Sequence, residues 1–212
     1  MNSSIEPMRV GAVIFPNFEL LDIYGPLELL GTLHDRVSIT MLAEETGAVK
    51  SNQGPQGFAD ESIYKATRIN ILLVPGGLGT RALIQNALFL DALRTHAANA
   101  QFIASVCTGS ALLAKAGILD GKNATSNKLA FDWVATQGPN VNWIREARWV
   151  EDGNIFTSSG VSAGMDMTLS LIQHIFGGDM SVEVARQAEY IWNDDMTVDP
   201  FYNPTQTDAN PG

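Results

Sequence analysis

The single cysteine of the sequence, Cys107, stands where a nucleophile would be placed. It ends an apolar run at residues 101–106, which predicts a buried strand, and Thr108-Gly109-Ser110 after it predicts the start of a helix. Ligands bind at the carboxyl ends of parallel strands, and residues 105–109 parallel the G-x-S-x-G elbow that lifts a reactive atom above a sheet. A helix amino terminus also lowers a thiol pKa. An ordinary buried cysteine is the alternative, but the elbow pattern favours a reactive one.

Asp22 is the second residue whose type departs from its surroundings. It interrupts the apolar stretch Leu20-Leu21-Asp22-Ile23-Tyr24, just past the end of the first predicted strand. A buried acid is costly unless it is paired, and burial raises its pKa so that it can stay protonated. A neutral carboxylic acid could hold a neighbouring thiolate by a hydrogen bond and later donate its proton. The local sequence fits an exposed acid at a helix start equally well, so both interpretations stay open.

A glycine-rich turn, Gly76-Gly77-Leu78-Gly79, follows an apolar strand pattern at residues 70–75. Residues 77–82 mimic the G-x-G-x-x-G/A dinucleotide fingerprint, which also requires an acid about 20 residues further on. Residues 97–102 contain no acid, so we interpret the glycines as a tight turn. The backbone N–H groups of such a turn can still receive a developing negative charge.

The three histidines do not have the spacing of a metal site. His34, His96 and His174 are scattered, and no cysteine cluster accompanies them. We therefore expect a structural role for each histidine and no bound metal.

Apolar runs of strand length alternate with helical patterns along the chain. Strands are predicted at residues 9–15, 37–43, 70–75, 101–106, 122–126, 141–150 and 154–158, and a loop or irregular hairpin at 44–67. Helices are predicted at residues 18–33 (kinked or restarted at Gly25-Pro26), 80–93 (capped by Thr80), 108–116 (closed by Gly117), 129–136, 161–176 and 182–192. Continuous apolar strands alternating with helices predict an α/β fold, in which helices cover both faces of a mostly parallel sheet.

Length and composition suit a single domain. The 212 residues are 45% hydrophobic, enough to build a core without metal or disulfide staples. The amino terminus lacks a signal-peptide pattern and no run of about 18 apolar residues exists, so we expect a cytoplasmic protein without membrane contact. The net charge of −10 disfavours nucleic-acid binding. We predict one domain over residues 8–196, with terminal extensions at 1–7 and 197–212.

Together these residues resemble the ThiJ/PfpI superfamily, which has a flavodoxin-like fold related to that of class I glutamine amidotransferases. The similarity runs from Val10 to about Trp192. The motifs that carry it are Phe15-Pro16 with Leu21-Asp22-Ile23-Tyr24-Gly25-Pro26-Leu27-Glu28, then Val74-Pro75-Gly76-Gly77, Ser105-Val106-Cys107-Thr108-Gly109-Ser110 and Gly160-Val161-Ser162-Ala163-Gly164-Met165-Asp166.

Within the superfamily, the chain is most similar to the isonitrile hydratases, which have Asp at the position of Asp22 and Cys-Thr at the position of Cys107-Thr108. The resemblance implies hydration of R–N≡C to an N-substituted formamide without metal or organic cofactor. It implies that Cys107 attacks the isonitrile carbon, that Asp22 protonates the adduct, and that Thr108 orients the acid or the water.

The same resemblance implies a pocket and an assembly. The substrate or oxyanion pocket is expected at Gly76, Gly77, Leu78 and Val161, with backbone N–H groups near Gly77 completing it. A homodimer is expected, with the site near the subunit interface.

Other members of the superfamily fit the residues less well. The intracellular peptidases have histidine where Thr108 follows the nucleophile, and amidotransferases need an H-x-E pattern that His174 does not begin. Asn127 stands where isonitrile hydratases and glyoxalase-type members commonly have histidine. The alternative to a hydratase is a redox or oxidative-stress sensor that uses Cys107, or another cysteine-dependent member of glyoxalase or amidase type.

Overall fold

A computed structural model describes residues 6–203, and its centre is a seven-stranded sheet. The strands of the described residues are β1 (Met8–Val13), β2 (Val37–Ala43), β3 (Gly47–Lys50), β4 (Gln56–Ala59), β5 (Glu61–Ser62), β6 (Ile71–Val74), β7 (Phe102–Val106), β8 (Asn123–Ala124), β9 (Asn142–Trp143), β10 (Trp149–Asp152) and β11 (Ile155–Ser158). The α-helices are α1 (Leu20–Gly31), α2 (Thr80–Leu83), α3 (Ala87–Asn99), α4 (Gly109–Lys115), α5 (Phe131–Gln137), α6 (Ala163–Phe176) and α7 (Gly178–Gln187).

The strand order in the central sheet is β10-β11-β7-β6-β1-β2-β5. All neighbours pair in parallel except β10 with β11, which form an antiparallel hairpin. Every residue of β6 is buried although successive side chains point to opposite faces, so both faces of the sheet are covered. One helical layer contains α1, α6 and α7, and a second contains α2 to α5. The predicted α/β fold with a mostly parallel sheet is therefore confirmed.

The chain departs from the predicted elements at three places. The helix predicted at residues 182–192 is α7, which begins four residues earlier and ends at Gln187. The helix predicted at residues 80–93 is split into α2 and α3, because Asn86 accepts a hydrogen bond from the N–H of Phe89 and caps a new helix. Thr80 does not cap α2; its hydroxyl donates to the carbonyl of Gly77 instead. The strand predicted at residues 141–150 is two short strands, β9 and β10, which belong to different sheets.

Several local predictions are confirmed. Residues 44–67 form an irregular hairpin, β3 with β4, followed by β5. Gly117 adopts a positive φ of 75° after α4, as predicted for the residue that closes this helix. The predicted restart at Gly25-Pro26 is wrong, because Pro26 lies inside a continuous α1. Apart from these predictions, no helix among the described residues combines the length and hydropathy that crossing a membrane requires.

The segment after α7 is docked onto the domain as far as it is described. The carbonyl of Met196 accepts hydrogen bonds from the N–H groups of Arg148 and Trp149. Asp199 is buried, 3.7 Å from the Arg148 guanidinium and 3.9 Å from the Lys128 ammonium group. Burial lowers the pKa of Lys128 to about 8. Parts of the predicted terminal extensions, residues 1–5 and 204–212, lie outside the described residues.

Candidate active site

Cys107 lies on a strained turn between β7 and α4. Its φ is 57°, a left-handed conformation that non-glycine residues rarely adopt. The turn is tight because Gly109 approaches β6 so closely that a Cβ there would lie 2.3 Å from the carbonyl oxygen of Val74. The predicted strand-to-helix elbow is therefore present, and it needs glycine two residues after the cysteine.

Hydrogen bonds fix the Cys107 backbone on both sides. Its N–H donates to the carbonyl oxygens of Ser158 (3.2 Å) and Ser159 (3.1 Å). Its own carbonyl oxygen accepts from the hydroxyls of Ser110 (3.1 Å) and Ser126 (3.0 Å). Sequence reasoning missed these serines as supporting residues; the run Ser158-Ser159-Gly160 before the last motif was the available signal.

Two backbone amides donate hydrogen bonds to the Cys107 sulfur. They belong to Thr108, the next residue, and to Val161, in the turn before α6. Val161 has a φ of 48°, an outlier for a β-branched side chain. Of the predicted pocket residues, Val161 is thus in contact with the sulfur.

Asp22 lies in the first turn of α1, and its carboxyl group is beside the Cys107 thiol. The side chain is fully buried, and its Oδ2 accepts a hydrogen bond of 2.8 Å from the N–H of Gly76. Its Oδ1 is buried without a partner of ordinary hydrogen-bond geometry. Burial raises the pKa of Asp22 to about 8, against the lowering effect of the bonds from Gly76 and Cys107. Of the two interpretations left open, the buried acid is the one observed, and its raised pKa favours the protonated form near neutral pH.

The prediction of a lowered thiol pKa is wrong for this structure. Burial raises the pKa of Cys107 well above its usual range, and the negative charge of an ionised Asp22 raises it further. The amides of Thr108 and Val161 lower it, but they do not outweigh burial. The helix after the cysteine is short, with seven residues in α4, so its dipole does not compensate either.

The Thr108 hydroxyl serves the glycine turn. Its Oγ1 accepts a hydrogen bond of 3.0 Å from the N–H of Gly77 and lies 3.3 Å from the hydroxyl of Thr80. The resemblance implied that Thr108 orients the acid or the water. In the structure the hydroxyl is bonded to Gly77, and the residue reaches the sulfur through its backbone N–H.

The glycine turn positions the side chains of the site. Its first two glycines have no free backbone N–H group to donate to a substrate. The N–H groups of Gly76 and Gly77 are bonded to Asp22 and Thr108, so the expected oxyanion donors are engaged inside the protein. A Cβ on Gly76 would lie 2.5 Å from the backbone nitrogen of Thr108, so glycine alone permits this approach. Leu78, the next residue of the turn, is 55% exposed.

The residues predicted to lie outside the chemistry have structural contacts. The ring of His96 is bonded to the carbonyl of Ile63, and His174 packs edge-on against Phe102 and Phe156. Asn127 accepts hydrogen bonds from the backbone before α5 and lies against Gly160, where a Cβ would be 2.3 Å from its amide nitrogen.

A cavity of about 1130 Å³ lies beside the end of β2, and none of the predicted site residues lines it. Its wall includes Phe15, Glu44, Asp60 and Tyr64. The cavity is therefore separate from the site, because neither Cys107 nor Asp22 is part of its wall.

Comparisons with known proteins place the chain in a family. Residues 8–174 match the DJ-1/PfpI family. The chain is 35% identical over 183 residues to the isonitrile hydratase of Pseudomonas putida, which covers 86% of this chain and 78% of that protein. It is 27% identical to the HTH-type transcriptional regulator CdhR of Pseudomonas aeruginosa, over 82% of this chain and 53% of the regulator. A crystal structure of a ThiJ/PfpI family protein from Pseudomonas syringae superposes with a TM-score of 0.81 and 29% identity, covering 97% of this chain and 83% of that one. Fold, elbow and sequence agree, and the chain belongs to the DJ-1/PfpI family.

Proposed function

We propose that the protein is an isonitrile hydratase, which adds water to R–N≡C to give an N-substituted formamide. The observation that carries the proposal is the buried pair of Asp22 and Cys107, in which burial keeps a carboxylic acid protonated beside a thiol near neutral pH. Covalent addition to an isonitrile carbon requires a sulfur nucleophile and a proton for the same carbon. The similarity to the Pseudomonas putida isonitrile hydratase supports this choice of substrate.

The first step forms a thioimidate. The Cys107 sulfur attacks the isonitrile carbon and a C–S bond forms, while the proton of Asp22 passes to that carbon. The thiol proton passes to Asp22, which is then protonated again. Because proton transfer accompanies attack, a free thiolate need not accumulate, and a raised thiol pKa is compatible with the reaction.

The second step consumes water. Water adds to the thioimidate carbon, Asp22 gives its proton to the nitrogen, and the carboxylate takes a proton from the water. The C–S bond of the resulting adduct then breaks, the hydroxyl proton returns to the sulfur by way of Asp22, and the formamide leaves. No cofactor or metal enters these steps.

In this proposal the backbone amides of Thr108 and Val161 stabilise charge that develops on the sulfur. Gly76 and Gly77 act as positioning residues, because their N–H groups hold Asp22 and Thr108. Leu78, which is exposed and follows Gly77 in the glycine turn, would contact the substituent of the substrate.

A panel of alkyl and aryl isonitriles tests the proposal, with formamide measured by mass spectrometry. Wild type should form formamide, and Asp22→Asn should be slower by about 10²–10⁴, the usual size of general-acid catalysis. Alkylation of Cys107 by iodoacetamide should not be slower in Asp22→Asn, since an amide is as neutral as a protonated acid. Turnover of isonitriles at the wild-type rate by this variant would exclude Asp22 as the acid.

The redox-sensor alternative is less well supported. Sensor cysteines combine a low pKa with solvent access, whereas Cys107 is 7% exposed and its pKa is raised. Rapid sulfenic acid formation at low peroxide, without formamide from any isonitrile, would favour the sensor instead.

We also propose a homodimer with the site near the interface. Leu21 and Tyr24, which flank Asp22 on α1, are each 41% exposed and offer apolar surface for a second copy. Sedimentation at micromolar concentration should show a dimer, and Tyr24→Arg should weaken it. A monomeric wild type would contradict this proposal.

A further inference from the structure

Glu19 stands at the N-cap position of α1 but does not cap the helix. The side-chain carbonyl of Gln53 accepts the hydrogen bond from the N–H of Leu20 (3.0 Å) in its place. The amide nitrogen of Gln53 donates to the Glu19 carboxylate. One glutamine from the turn between β3 and β4 therefore accepts from the first N–H group of the helix and orients the acid.

Glu19 and Asp22 are both hydrogen-bonded to the backbone of Gly76. Its N–H donates to the carbonyl oxygen of Gly76 (2.9 Å), while the N–H of Gly76 donates to Asp22 (2.8 Å). The two acids are three residues apart at the start of α1, and the Glu19 side chain is partly exposed while that of Asp22 is buried. The charge of Glu19 raises the pKa of both Asp22 and Cys107, so its field reaches the reacting atoms.

We infer that Glu19, oriented by Gln53, is an electrostatic positioning residue that biases Cys107 toward reagents and substrates without negative charge. The inference rests on the proposed function in taking Cys107 as the nucleophile. A fixed carboxylate beside a nucleophile repels an approaching anion, and the effect is strongest at low ionic strength. Within the isonitriles, the favoured class is therefore neutral or cationic, and isonitriles that carry a carboxylate are disfavoured.

The test compares alkylation of Cys107 by iodoacetamide and iodoacetate, which have nearly the same size and differ in charge. Rates are measured by mass spectrometry of the Cys107 peptide at low salt, over hours if necessary. Glu19→Gln should raise the iodoacetate-to-iodoacetamide rate ratio by about three- to tenfold, the size expected for one partly screened charge. Gln53→Ala retains the Glu19 carboxylate but removes the side chain that orients it. The rate ratio of this variant should therefore lie between those of wild type and Glu19→Gln.

Glu28→Gln is the matched control, because it removes an exposed acid from the same helix, two turns further along. Its ratio should equal that of wild type. The Glu19→Gln effect should also shrink in 1 M salt, which a change in packing would not produce. An unchanged ratio in Glu19→Gln, or an equal change in Glu28→Gln, would overturn the inference.

The substrate arm compares a neutral isonitrile ester with the corresponding carboxylate. Glu19→Gln should raise kcat/KM for the carboxylate relative to the ester. Alkylation needs no turnover, so the two proposals fail separately. If Glu19→Gln shifts the iodoacetate-to-iodoacetamide ratio but no isonitrile is hydrated, the role of Glu19 stands and the hydratase is rejected. If isonitriles are hydrated but the ratio is unshifted, the hydratase stands and the role of Glu19 is rejected.

Discussion

Cys107 and Val161 both adopt left-handed backbone conformations, with φ angles of 57° and 48°, and the N–H of Val161 donates to the Cys107 sulfur. Such a conformation costs roughly 1–2 kcal/mol for a residue with a Cβ. Ser159 links the two positions, because its carbonyl holds the Cys107 N–H and Val161 follows two residues later. Strain of this kind persists where the surroundings enforce it, and two of the six non-glycine residues with positive φ among the described residues hold this sulfur, which supports a functional role for that atom.

Cys107→Ala should abolish isonitrile turnover and leave the fold intact. The substitution removes one buried sulfur atom, so the free energy of unfolding should fall by about 1 kcal/mol. Formamide production measures the activity, and circular dichroism during heating measures the fold. A folded variant that kept more than a few per cent of wild-type turnover would exclude covalent catalysis.

Asp22→Asn should change how stability depends on pH. The pKa of Asp22 is about 8 in the folded protein, against an ordinary value of 3.8, so the folded state keeps a proton that the unfolded chain releases. The stability that this proton contributes is complete below about pH 4 and is lost as pH rises toward 8. Relative to wild type, Asp22→Asn should therefore gain on the order of a few kcal/mol between pH 4 and pH 8.5, measured by urea unfolding. A pH-independent difference between the two proteins would contradict a buried, protonated Asp22.

The parallel sheet could be predicted because β6 is an uninterrupted apolar run and β2 alternates apolar with polar residues. β2 was predicted with its observed ends, Val37 and Ala43, since apolar residues stop abruptly on both sides. The break between α2 and α3 could not be predicted, because the apolar spacing continues through Asn86. The cap made by that residue was visible only as one polar side chain among several.

The site was also partly predictable from local sequence patterns. Cys107 and Asp22 each depart from their local pattern, which made them visible in the sequence. The raised pKa of Cys107 could not be predicted, because burial depends on distant residues and local sequence shows only the following helix. Likewise, the partners of the N–H groups of Gly76 and Gly77 lie 54 and 31 residues away, and no local pattern reveals them.

Thr108→Val should lower turnover, and Thr108→Ser should largely retain it. Valine has the shape of threonine but no hydroxyl, so the N–H of Gly77 would lose its acceptor, at a cost of about 1–3 kcal/mol. The glycine turn that holds Asp22 through Gly76 would then loosen. Measurements of kcat/KM and melting temperature for both variants check this. Equal behaviour of the valine and serine variants would show that the hydroxyl contributes nothing to the turn.

Val161→Gly should stabilise the protein slightly while lowering its activity. Glycine adopts a positive φ without strain, and this relief exceeds the backbone entropy that glycine loses on folding, for a net gain of about 0.5–1 kcal/mol. The same change frees the turn before α6, so the N–H of residue 161 would no longer be held against the sulfur.

Glu189→Gly is the matched control: Glu189 has the same φ of 48° but follows α7, outside the site. Both variants should melt higher than wild type, and Val161→Gly alone should lose turnover, by about tenfold for one weakened hydrogen bond to a charged atom. If Val161→Gly hydrated isonitriles as fast as wild type, the strained amide would have no part in the chemistry, and Thr108 would be the remaining donor to the sulfur.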